Sequence, residues 1–277
     1  MSPSGADRRH TVHIAPLIAA LLAATCGGAP PITLPSGNGT PFPGAVDAFT
    51  EAVQACRGVK TLSASLSLSG RAGSTKLSAR VDAGFAAPGR LRLEGFPKIN
   101  FGGKPFFILV ANGSDATLVL TRDGRVLRGA PPAAIIEALT GIALEPDEMR
   151  ALVAGCAVAD GQSSEGRTFD RGWASVQAGA AAVYLQQVDS HWRVAGARRG
   201  SLAIEYSDFT AGRPATVRLR TTPSANVAAA DLSIRISQVE TNATLGDAVF
   251  SVEVPKGATP LTLEELRRAG PLGGSEK

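Results

Sequence analysis

Histidine and cysteine are scarce in this chain of 277 residues, with three of each. His10 and His13 lie beside the first apolar run, which leaves His191 as the single histidine of the body. No second histidine or cysteine stands at ligand spacing, so no metal site is expected. A Gly-x-Ser-x-Gly elbow and a phosphate-binding glycine loop are also missing. Asp147 and Glu148 open a predicted helix, where the helix dipole favours acids, and Asp170 and Arg171 fall in a predicted turn. None of these side chains needs a catalytic reading, and the chain is expected to be no enzyme and to carry no cofactor. The net charge is only +4, and the basic residues are dispersed rather than gathered into runs interleaved with aromatics. No nucleic-acid partner is expected.

What the chain does have begins at its N-terminus. Arg8, Arg9 and His10 precede an apolar stretch, Thr11 to Thr25, with Ile14, Leu17, Ile18, Leu21 and Leu22. A comfortable membrane span needs about 20 residues, so residues 1–25 read as a signal peptide. The stretch ends at Leu21-Leu22-Ala23-Ala24-Thr25-Cys26-Gly27, which resembles the lipobox of bacterial lipoproteins. That resemblance implies cleavage before Cys26, a diacylglyceryl group on its sulfur and commonly a palmitate on the new amine. The family prefers Leu three places before the cysteine and Gly or Ala just before it, where this chain has Ala23 and Thr25. An ordinary secretory signal with an incidental Cys26 is the alternative. Gly27 is not Asp, which by the same resemblance permits sorting to the outer membrane. The expected location is the bacterial envelope, as an outer-membrane lipoprotein facing the periplasm, with acylated Cys26 as membrane contact. Residues 27–44 are rich in Gly, Pro, Ser and Thr. With Cys26 they read as a flexible tether, 26–44, of roughly 20–25 Å span.

If Cys26 is acylated, Cys56 and Cys156 remain as a pair, each at the end of a predicted helix. Outside the inner membrane a disulfide is chemically allowed. Two separately buried thiols are the alternative, since free cysteine packs as a small hydrophobe.

From residue 45 to 277 the sequence reads as one β-rich domain. Val46, Phe49 and Val53 share a helical face between Ala45 and Cys56. The period then changes to two: Leu62, Ala64, Leu66 and Leu68 alternate with Ser63, Ser65, Ser67 and Ser69, as a strand with one apolar face does. Similar alternation follows at Leu77–Asp82 and Arg90–Glu94, and Phe106 to Val110 is a continuous apolar run. Asp123-Gly124 marks a hairpin. Two short helices, Pro132–Thr140 and Pro146–Ala154, interrupt the strands. Further strands centre on Trp173, Val183, Trp192, Leu202, Val217, Leu232 and Phe250–Val254. The expected fold is mainly β with short helices: a large curved antiparallel sheet, or incomplete β-barrel, of about 11 strands under a helical lid. Such a sheet either keeps an apolar cavity beneath its helices or is filled by them, and alternation cannot separate the two.

Two stretches carry a resemblance to a known family. Ala87-Pro88-Gly89-Arg90-Leu91-Arg92-Leu93-Glu94-Gly95 resembles the proline-led, arginine-bearing strand of the LolA/LolB superfamily of lipoprotein carriers and receptors. Leu139-Thr140-Gly141-Ile142-Ala143-Leu144-Glu145-Pro146-Asp147-Glu148-Met149-Arg150 is similar to the helical insert of its LolB-type members. The resemblance implies an open barrel with a helical lid over a cavity for lipid or lipoprotein acyl chains, and a periplasmic carrier protein as partner. In the carriers a basic residue stands where this chain has Ala87. Alternation and helical face nominate Leu66, Leu68, Val81, Leu91, Leu93, Ile108, Val110, Leu118, Ile135, Ile136, Leu139 and Met149 as cavity lining. The loop Phe96–Pro105 matches the LolB loop that contacts the membrane, and nominates Phe96, Ile99 and Phe101. The alternative folds its phenylalanines under the sheet edge. A structural or assembly lipoprotein with a filled core, acting through protein partners, is the second functional expectation. A glycolipid-binding lipoprotein of similar shape is the third.

Overall fold

The serine–leucine alternation becomes strand β2 (Thr61–Ala72), paired along its whole length with β3 (Thr75–Ala86). The register sets Leu66 opposite Val81 and Leu68 opposite Ala79. The leucines are buried on one face while the serines stay half-buried on the other. This is a computed structural model, and it describes residues 33–98, 103–158, 162–223 and 229–270. The first half continues with β4 (Arg90–Phe96), β5 (Phe107–Asn112), β6 (Asp115–Leu120) and β7 (Arg125–Ala130). The β6–β7 hairpin turns at Asp123-Gly124 and sets Leu118 opposite Leu127. After the helical insert come β8 (Ser163–Phe169), β9 (Trp173–Ala178), β10 (Ala181–Val188), β11 (His191–Arg199), β12 (Leu202–Thr210), β13 (Arg213–Thr221) and β14 (Ala230–Thr241).

Each half is a meander of neighbours in chain order. The joint is the antiparallel pairing of β14 with β2. Two-residue strands cover the outer ladders: β1 (Thr40–Pro41) beside β8, and β15 (Thr259–Pro260) parallel to β7. The described residues thus form one open sheet of fifteen strands, antiparallel except at β15, whose edges do not meet. Short edge strands of this kind blunt the exposed ladder groups that would otherwise recruit another chain.

Helices cover one face. Helix α1 (Ala45–Arg57) lies against β8–β11, and buries Ala45, Ala48, Phe49, Val53 and Cys56. Val46, expected on this face, is 43% exposed, because the buried stripe runs through Ala45 and Ala48 instead. The insert is α2 (Pro132–Thr140) and α3 (Pro146–Ala154). Both have proline in the first turn and stop at a left-handed glycine, Gly141 and Gly155, the arrangement in which each residue is least strained. Helix α4 (Leu263–Ala269) opens with a capping box at Thr262, whose hydroxyl accepts from Glu265 N–H.

Cys56 and Cys156 are joined in a disulfide with Cα atoms 5.5 Å apart, tying the end of α1 to the residue after Gly155. A buried tyrosine clamps the same place. Tyr206 on β12 accepts from Ala157 N–H and donates to Leu152 C=O, both at 2.9 Å. Burial pushes its phenol above the ordinary value, so it stays a donor. Tyr206→Phe leaves both backbone groups without this partner. It is expected to lower stability by about 1–3 kcal/mol, read as a shift in the urea midpoint. An unchanged midpoint would show that the clamp is idle.

Two expectations are corrected by the packing. Within residues 33–44, part of the stretch read as a free tether, Leu34, Pro35 and Phe42 touch the sheet. Leu34 is 2% exposed and sits over Gly196, where an added Cβ would come 2.9 Å from its side chain. Pro35 C=O accepts from Arg198, and Phe42 packs on Trp192 with ring centroids 5.8 Å apart. Cys26 and residues 27–32 lie outside the described residues. Phe250–Val254, read as a strand, is instead a 3₁₀ turn at Asp247–Phe250 followed by irregular chain. Here Arg92, rather than a neighbouring strand, bonds the carbonyls of Val249 and Ser251.

Candidate functional site

The helix-covered faces of β2, β3, β4, β13 and β14 present Leu66, Leu68, Val81, Leu93, Leu219, Leu232 and Ile234 to the insert. From the other side come Ile136, Leu139, Thr140, Ile142, Leu144 and Met149; with Phe107 these residues line a cavity of about 80 Å³. Cross-strand register gathers them: Leu68 opposes Ile234, and Leu232 opposes Leu219. Phe107 reaches the lining because its strand partner is Gly95, where a Cβ would stand 2.0 Å from the ring. Among the described residues Thr140 is the only polar one in the wall, and its hydroxyl donates to Ile136 C=O at 2.7 Å. Space so lined excludes water and accepts hydrocarbon.

Leu144, in the loop between α2 and α3, has a second cavity on its other side, of about 260 Å³. Its floor is Ala178, Ala181 and Ala197, and Glu148 and Arg199 stand at its border. Alanines on β9–β11 leave open what leucine fills on β2 and β14. Leu144 is therefore a septum between a small dry compartment and a larger one with a charged rim.

The acids of α3 fasten this insert. Asp147 accepts from Gly89 N–H at 3.0 Å and from Arg150, which also donates to Val59 C=O. Glu148 accepts from Glu145 N–H at 2.9 Å in a capping box and pairs with Arg199. Glu137 of α2 meets Arg267 of α4 at 3.3 Å. The sequence explained Asp147 and Glu148 by the helix dipole alone; two of their partners, Gly89 and Arg199, are distant in the chain and invisible to it.

Of the nominated lining residues, the structure brings Leu66, Leu68, Val81, Leu93, Ile136, Leu139 and Met149 together around the cavity. Leu91, Leu118 and Ile135 are fully buried in the same core without bordering it. Ile108 and Val110 lie elsewhere, packed with Ala86 and Phe250 in a separate cluster. Both alternations within β5 are apolar, so the sequence cannot say which set faces the helices. In the loop, Phe96 is 8% exposed and lies under the Arg80 guanidinium, 4.5 Å from its ring centroid. Ile99 and Phe101 lie outside the described residues. Leu219, Leu232 and Ile234 were missed, although their strands were recognised. Their alternation was a usable signal, and only the β14–β2 pairing needed to connect them was out of reach.

Among the described residues no helix is long and apolar enough to cross a membrane. No family model matches the chain. No curated protein matches it either. Solved structures similar to it include a LolA superfamily protein of Nitrosomonas europaea, at 11% identity and TM-score 0.49 over 75% of this chain and 97% of that one. A putative outer membrane lipoprotein-sorting protein domain of Vibrio parahaemolyticus is similar at 10% identity and TM-score 0.46, over 74% and 97%. The lipoprotein LppX of Mycobacterium tuberculosis follows at 10% identity and TM-score 0.31, over 73% and 98%.

Proposed function

We propose that the protein is a bacterial envelope lipoprotein, anchored through acylated Cys26, that binds lipid or lipoprotein acyl chains between its sheet and helical insert. It would serve lipid transfer or lipoprotein localisation at the outer membrane, as a binding protein rather than an enzyme. The observation that carries this reading is the cavity whose only polar lining group is already bonded within its own helix. Each buried methylene gains about 0.8 kcal/mol, so an acyl chain leaving a membrane needs such a dry wall.

The volume favours a second reading. At about 80 Å³ the dry compartment is well below the roughly 300–1,000 Å³ usual for ligand pockets. A filled core acting through protein partners would look like this. Joined to the compartment beyond Leu144, it would reach the lower end of that range.

One measurement separates the two. Native mass spectrometry of the full chain, purified from a bacterial envelope, is expected to show non-covalent lipid adducts. Met149→Trp fills the cavity with a larger apolar side chain and is expected to remove the adducts while the thermal midpoint shifts by only a few degrees. A wild-type protein that stays free of adducts when acyl chains are added would give the filled-core reading precedence.

A further inference from the structure

A different cavity carries its own chemistry. About 410 Å³ of space opens where the end of α1 and the end of α3 meet β11–β13, and it shares no lining residue with either compartment around Leu144. Its walls include Ala52, Ala55, Phe209 and Pro214, and its cations are Arg193 and Arg213; among the described residues no Asp or Glu lines it.

Arg193 is half-buried. Its guanidinium lies 3.9 Å from the centroid of the Phe209 ring and donates to Gln186 Oε1 at 2.8 Å. Its Nε is buried and has no hydrogen-bond partner among the described residues. Nor does Arg193 enter any ion pair among them, unlike Arg199 on the same strand and Arg218 and Arg220 on β13. Burial pulls its pKa below the ordinary arginine value, the direction expected of a cation losing water without gaining a counter-ion. Arg213, exposed at the rim, is likewise in no ion pair. A partly desolvated cation beside such a cavity gains from a group of opposite sign placed there. The carbonyl ends of α1 and α3 oppose an anion, but full charges on two guanidinium groups outweigh partial charges on helix ends.

We propose that this cavity binds a phosphate group, with Arg193 as its half-buried contact and Arg213 as its rim contact. Guanidinium presents a fork of donors that matches phosphate oxygens, and the apolar walls would take an adjoining hydrocarbon part. The phosphate is borne either by a lipid headgroup or by a small soluble ester. This inference does not depend on the acyl-chain reading, because the two sites have no wall in common.

Isothermal titration calorimetry on the full chain tests it, with three probes: inorganic phosphate, glycerol phosphate and short-chain phosphatidic acid below its micelle concentration. Saturable binding that weakens with added salt is expected. Arg193→Gln is expected to weaken it roughly ten- to a hundredfold, and Arg213→Gln less. Equal binding of glycerol phosphate and phosphatidic acid supports the site with a soluble ester as the source. Binding of phosphatidic acid alone supports it with a lipid headgroup. No saturable binding of any probe overturns the proposal. So does binding that survives both substitutions. Arg213 is exposed, so its variant stays informative even if Arg193→Gln unfolds.

Discussion

Replacing Cys56 and Cys156 together by alanine is expected to destabilise the fold by about 2–5 kcal/mol. The bridge joins residues 100 apart in sequence, so in the chain-entropy account it removes much of the freedom of the unfolded chain. Alanine keeps both sites small and apolar, which limits loss of packing as a rival cause. The loss should appear as a lower urea midpoint with a steeper dependence on denaturant, because the unbridged denatured chain exposes more surface. It should also be local. Cys156 follows α3 directly, and without the bridge that end keeps the Tyr206 clamp, while its other end keeps Asp147 and Glu148. Amide exchange in α3 should therefore rise more than in β2 and β3. A double variant as stable as the wild type would mean that Tyr206 and the core alone fix the insert.

Legibility in the sequence followed the range of the interactions. The strands of the first meander were readable because one face is apolar and the other polar, as in Leu62–Ser69. Both insert helices were readable because Pro146, Gly141 and Gly155 are local signals. β8 was not, since Ser163–Phe169 has almost no apolar residue and forms a strand only because β9 offers it a ladder. The same holds for Thr40–Pro41 and Thr259–Pro260, two-residue strands created by their partners. Leu34 shows the limit of composition: its Gly- and Pro-rich surroundings suggest a free chain, yet the absent side chain of Gly196 leaves it a seat.

The candidate site divides along the same line. Its first-half wall was predictable from alternation, and its helical wall from the faces of α2 and α3. What closes it is tertiary: β14 paired with β2, which brings Leu232 and Ile234 beside Leu68, and Gly95 making room for Phe107. Arg199 and Glu148 are 51 residues apart, and nothing local marks them as partners.

Leu144→Ala is expected to move stability and capacity in opposite directions. Leu144 is 6% exposed and borders both compartments, so its truncation should cost about 2–5 kcal/mol, as other buried leucines do. In a protein with a filled core, that would be the whole effect. If the two compartments are parts of one acyl-chain site, removing the septum joins the dry 80 Å³ space to the 260 Å³ one. The variant should then take up longer alkyl chains than the wild type, although it is less stable. Bound chains should in turn restore part of the lost stability, since a ligand held only by the folded state raises it by mass action. A series of alkyl probes of increasing length, followed by thermal midpoint with and without each probe, reads both effects together. A lower midpoint that no probe raises would mean that Leu144 is only packing and that the two spaces never join. A midpoint restored progressively by longer chains would identify the helical insert as the partition of a divided binding site, with Leu144 setting the length of chain it accepts.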